Sequence, residues 1–159
     1  MFLLSDSLRP KLKEPFPSTE RFWKCPKTGL LVPKGHDANV QWRAELLQQA
    51  ETDTILQSDL MAACSESQLF WINAFSWTYH QFDIVDGKRI ESTEPYVPFI
   101  SWEIQDSLFD KFEECLKKAS DILVDKCRDM GASWCCVNFI HWLWLFRKGG
   151  PQLLEMSRT

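Results

Sequence analysis

The sequence predicts an α/β fold: the opening portion of a parallel sheet, ordered strand, loop, helix, strand, behind an N-terminal helical extension. Three observations predict it. An apolar run, Ile122-Leu123-Val124, stands just before a short basic segment with a single glycine. Ser133 then opens a long apolar helix that runs to Phe146. The Gly149-Gly150-Pro151 break leads into a second apolar run, Leu153–Met156. Strand, crossover helix and strand in that order make a right-handed unit of a parallel sheet. Such sheets bind ligands beyond the carboxyl ends of their strands, which is where Lys126 to Ser133 falls.

Taken in order, residues 1–36 hold five of the eight prolines and little periodicity, so they read as an extended arm able to wrap the core. Residues 37–94 read as a helical and aromatic subdomain. Asp37 is placed to cap a helix over Ala38–Ala50, with Val40, Leu46 and Leu47 inward. Thr52 or Asp53 is placed to cap a second helix reaching Ala63, with Ile55, Leu56, Leu60 and Met61 apolar. Phe70–Phe82 is aromatic and fits a helix or a strand. Asp86-Gly87, between Ile84-Val85 and Ile90, is a hairpin signal. Residues 95–159 read as the start of a nucleotide-binding core. Its first helix begins near Gln105 and reaches about Ser120, with Leu108, Phe109, Phe112, Cys115 and Leu116 on one face.

Composition limits the function classes. The chain has 159 residues, 45% hydrophobic and 25% charged, enough for one globular core. No run of 18 apolar residues is present, so no membrane span is expected. The MFLL start is short for a secretion signal and is followed closely by Asp6. The six cysteines, with no C-x-x-C pair, read as reduced thiols rather than a zinc or disulfide framework. Charge is uneven. Residues 1–34 carry seven Lys/Arg against three Asp/Glu, residues 35–125 six against seventeen, and residues 126–159 five against two. The acidic middle argues against a broad nucleic-acid groove. A basic arm is suited to touching DNA or an acidic partner, and equally to lying solvated. His36, His80 and His141 are too scattered for a metal set. His141 reads as a packed core residue, and Trp134, Trp142 and Trp144 as packing against the sheet.

The segment Ile122 to Trp134, ILVDKCRDMGASW, carries the chemistry. A strand, a tight basic turn and a helix N-terminus together cradle anionic oxygens. Against the G-x-x-x-x-G-K-[ST] string of a P-loop NTPase, Gly131 fits the second glycine and Ser133 the magnesium-binding hydroxyl. Ala132 stands where the lysine is usual, and Lys126 where the first glycine is usual. A phosphate site needs a cation near the β and γ oxygens, supplied here from the front of the loop by Lys126 or Arg128. The loop is thus Lys126, Cys127, Arg128, Asp129, Met130, Gly131, Ala132 and Ser133. Asp129 opposes phosphate unless it turns outward or pairs with a neighbour.

KCRDMGASW resembles the variant Walker A motif of the large terminase subunit of tailed bacteriophages, in which the basic residue comes early. FWINAFSWTYHQF (Phe70–Phe82) and PFISWEIQ (Pro98–Gln105) precede it in that family's order, and QLLEMSR (Gln152–Arg158) follows. The resemblance covers roughly residues 65–159. It implies ATP and Mg²⁺ as cofactors, with Ser133 on the metal. It also implies a role for Gln105 at the adenine, since a glutamine can bond both donor and acceptor edges of the base. Trp102 or Phe99 would stack on the base, or pack in the core.

The family's hydrolysis needs an apolar strand ending in two acids, one for magnesium and one for water. After Ser133 the sequence has one carboxylate, Glu155. The expectation is therefore the N-terminal part of a packaging ATPase, truncated before its acidic strand: a short frame, a split gene or an incomplete record. The resemblance implies partners in the remainder of the large subunit with its nuclease, the small terminase subunit, the portal, and double-stranded DNA through the full-length protein. It implies a ring oligomer when complete, no membrane, and the host cytoplasm. The alternative is a non-catalytic nucleotide-binding or protein-interaction module.

Overall fold

The computed structural model describes residues 22–126, 130–149 and 153. Among these the order is β1 (Phe22–Lys24), β2 (Leu31–Pro33), α1 (His36–Ala50), α2 (Thr54–Glu66), α3 (Gln68–Phe75), β3 (Trp77–Tyr79), β4 (Phe82–Val85), β5 (Lys88–Glu91), β6 (Tyr96–Pro98), α4 (Glu103–Lys118) and α5 (Ala132–Phe146). The strands form three two-stranded antiparallel ribbons, β1-β2, β3-β6 and β4-β5.

The expected parallel sheet is therefore corrected. The described residues hold five helices around small antiparallel ribbons and no parallel pair, so the P-loop NTPase fold is not present among them. The reason lies in Ile122–Val124. A parallel strand is buried on both faces and bonded on both edges. These residues have no strand beside them, and Leu123 is 97% exposed. The second expected strand, Leu153–Met156, lies outside the described residues except for Leu153, which is in no strand.

Residues 22–33, read above as part of an extended arm, form a hairpin that enters the core. Trp23 pairs with Val32, Cys25 N–H donates to Leu30 O at 2.8 Å, and Cys25, Leu30 and Val32 are buried. Helix α1 starts from Gly35 with Asp37 in its first turn, where a carboxylate suits the helix dipole without capping it. Its inward stripe is Ala38, Asn39, Trp42, Arg43, Leu46 and Ala50, at helical spacing. Leu47, expected inward, falls off that stripe and is exposed. Of Thr52 and Asp53, both placed to cap helix α2, it is Asp53 that does so: its Oδ1 accepts from Ile55 N–H at 3.1 Å and Leu56 N–H at 3.0 Å. Leu56 and Leu60 are buried, while Ile55 and Met61 face outward.

The aromatic stretch from Phe70 resolves into both alternatives in turn. It is helix α3 to Phe75, then strand β3. Ser67 caps α3, accepting from Phe70 N–H at 3.2 Å, and Gln68 to Ala74 are all buried. A helix buried all round belongs at the centre of a core. Asp86-Gly87 turns the β4-β5 hairpin with both residues at positive φ, 51° and 74°.

The polar members of this core meet at Asn73. Asn39 Nδ2 donates to Pro33 O at 2.8 Å and Asn73 O at 3.1 Å. Arg43 donates to Asn39 Oδ1 (2.6 Å), Ser76 O (2.7 Å) and Asn73 O (2.8 Å), and lies over the Trp77 ring at 5.3 Å. Burial lowers the Arg43 pKa to about 9, which leaves it charged at neutral pH. A cation against the last carbonyls of α3 satisfies groups that the helix leaves unpaired. No helix among the described residues is long and apolar enough to cross a membrane.

Candidate functional site

Helices α4 and α5 carry the site. Glu103 and Asp106 lie in the first turn of α4 and Lys117 and Lys118 in its last, matching the helix dipole. Glu114 holds Lys111 and Lys118, each at 2.6 Å. Hydrogen bonds from these two lysines pull its carboxyl down to about 2. Phe109 and Phe112 turn inward, and Phe112 meets Phe139 of α5 at 5.1 Å.

Gln105 joins the two helices. Its Oε1 accepts from Trp102 N–H at 3.0 Å, the glutamine half of a capping box. Its Nε2 donates to Met130 O at 3.1 Å, across 25 residues. Gly131 follows at φ 68°, ψ 12° as the N-cap of α5. A Cβ there would lie 2.7 Å from Gln105 Nε2. The glycine is thus required twice: by the left-handed backbone and by the close approach of the glutamine.

Helix α5 therefore begins one residue before Ser133, with Gly131 rather than Ser133 at the cap, and a glycine offers no side chain to the N-terminal N–H groups. Ser133 and Lys126 are both exposed. Of the remaining loop residues read above, Cys127, Arg128 and Asp129 lie outside the described residues.

The three adenine candidates stand in different settings among the described residues. Gln105 is buried and faces the loop, with both ends of its amide engaged. Phe99 is in the core. Trp102 is exposed on the wall of a separate cleft of about 800 Å³, with Phe22, Trp23, His36 and Ile104. His141, expected in the core, is exposed between Trp71 (5.3 Å) and Trp144 (6.1 Å). Trp142 does pack inward and donates its indole N–H to Cys64 O at 2.8 Å.

Sequence reasoning missed the polar cluster at the floor of the Trp102 cleft. Lys34 Nζ donates to Asn73 Oδ1 (2.7 Å), Ser101 O (2.7 Å) and Ser101 Oγ (3.1 Å), with Asp106 Oδ2 at 3.9 Å. Ser101 Oγ donates to Asp106 Oδ1. Burial lowers the Lys34 pKa to about 8, and Asp106 partly offsets it. All three ammonium protons have protein acceptors, so Lys34 ties the β1-β2 hairpin to α3 and α4 rather than standing ready for phosphate. Asn73, a lone amide in the apolar run Leu69–Phe75, was the available signal. Its partners come from segments 39 and 28 residues away, which no local pattern reveals.

Among the described residues no three His, Cys, Asp or Glu side chains gather as a metal-ligand set. Comparison with known families, with characterised proteins and with solved structures finds no match to this chain.

Proposed function

We propose that the chain is an ATP-binding portion of a large terminase subunit, the motor ATPase that packages double-stranded viral DNA. The observation that carries the reading is the state of the α5 N-terminus. Gly131 is left-handed, as a glycine it offers the helix no side-chain cap, and the buried Gln105 amide fixes the Met130 carbonyl beside it. The first-turn N–H groups of a helix and the positive end of its dipole favour phosphate oxygens. This support adds to the family-ordered strings that end in KCRDMGASW.

In this reading the backbone from Gly131 to Ser133 binds phosphate, and Lys126 or Arg128 neutralises it. The exposed Ser133 hydroxyl is free to join a magnesium shell completed by phosphate oxygens and water. Gln105 acts as a positioning residue for the loop. The partners and setting follow from the same proposal: the rest of the large subunit, the small subunit, the portal and duplex DNA, in the host cytoplasm. The alternative of an interaction module gains support from the exposed apolar side chains of Leu123 and Trp144.

Titration calorimetry separates the two. ATP with magnesium is expected to bind the chain at micromolar affinity or weaker. Replacing both Lys126 and Arg128 by alanine should cost at least about tenfold, the scale of one lost charge-assisted contact. Unchanged affinity in the double variant would refute the phosphate-loop assignment. No heat with either protein would favour the interaction module.

A further inference from the structure

A groove of about 640 Å³ lies between the first turns of α1 and the β3-β6 ribbon. Its walls carry Trp77, Tyr96, Pro95 and Pro98, and its rim carries Asp37 and Glu94. The register pairs Trp77 with Pro98 and Tyr79 with Tyr96, so these four side chains share one face of the ribbon. Tyr79 and Tyr96 meet edge to face at 5.6 Å. Arg43 lies over the Trp77 ring, yet Trp77 remains 47% exposed and Tyr96 71%. Aromatic rings standing open beside acidic side chains suit an extended, proline-rich, basic peptide. Its rings and prolines would stack on the aromatics, and its cations would face the carboxylates.

We propose that this groove is the docking site of the chain's own segment Arg9–Pro17, RPKLKEPFP. The segment has the matching chemistry: prolines at 10, 15 and 17, an aromatic at Phe16, and cations at Arg9, Lys11 and Lys13. Its charge is complementary, because the segment carries three cations against Glu14, while among the described residues the groove is lined by Asp37 and Glu94 and by no Lys or Arg. Reach also fits. Phe22 pairs with Pro33, and His36, three residues beyond Pro33, lines this groove and also shares the Trp102 cleft with Phe22. The five residues from Pro17 to Phe22 span up to about 17 Å when extended. The inference is independent of nucleotide binding.

Limited trypsin digestion of the full chain, followed by mass spectrometry at Lys11 and Lys13, tests it. Both bonds should be cut at least about fivefold more slowly than in a free peptide of residues 1–21, because cleavage tracks the undocked fraction. Tyr96→Ala with Glu94→Lys, at exposed positions, should restore the fast rate. Pro15→Ala with Pro17→Ala should do the same without touching the groove. Excess free peptide should accelerate cleavage in the unsubstituted chain but not in the groove variant. Cleavage of the intact chain at the free-peptide rate would overturn the proposal. So would protection that neither pair of substitutions relieves, which would place the segment elsewhere or give the groove to another polypeptide.

Discussion

Replacing Arg43 by methionine should lower the unfolding free energy by about 3 kcal/mol, the scale for a buried charged donor whose partners stay behind. In a chain of this size that is a fall in melting temperature of roughly 6–12 °C. Methionine approximates the stem of arginine and fills much of its volume, so the loss isolates the guanidinium. Asn39 Oδ1 would lose its 2.6 Å donor, and the carbonyls of Asn73 and Ser76 would each lose one. Arg43→Lys should recover only part, because an ammonium cannot reproduce a fork that serves two helices and a strand junction. Chemical denaturation of the three proteins checks this. A loss under about 1 kcal/mol in Arg43→Met would mean that the network does not organise the core.

Gly131→Ala should cost about 2 kcal/mol, with two separable causes. A non-glycine residue in the left-handed region costs roughly 1–2 kcal/mol. The new Cβ also meets Gln105 Nε2 at 2.7 Å and must push the amide off Met130 O. A double-mutant cycle with Gln105→Ala separates them. Removing the glutamine should relieve the clash and leave the backbone strain, giving a coupling energy of about 0.5 kcal/mol or more. Strict additivity would show that Gln105 and the loop are not in contact in solution.

How much was legible in the sequence depended on the range of the interactions. Elements set by local chemistry were readable: the Asp53 cap, the Asp86-Gly87 hairpin, and the helices ending at Ala50 and Phe146. Gly131 was singled out as a loop glycine, but the cap of the following helix was given to Ser133, and it is Gly131 that occupies it. The parallel sheet was not, because an apolar triplet becomes a strand only if partner strands cover it. Ile122–Val124 finds none among the described residues. Gln105 was singled out as a base-reading residue, but its amide is held by Trp102 N–H and Met130 O. A glutamine's role is set by what lies 25 residues away, beyond any helical or strand period. The Lys34 cluster was hidden for the same reason.

Under the proposed function, the N-terminus of α5 receives phosphate. Amide proton–nitrogen spectra of the full chain, recorded while ATP and magnesium are added, test it most directly. The largest shifts are expected on the N–H groups of Gly131, Ala132 and Ser133, and tripolyphosphate should reproduce them without a base. Shifts centred instead on Lys34, Ser101 and Trp102, or no shifts at saturating nucleotide, would contradict it.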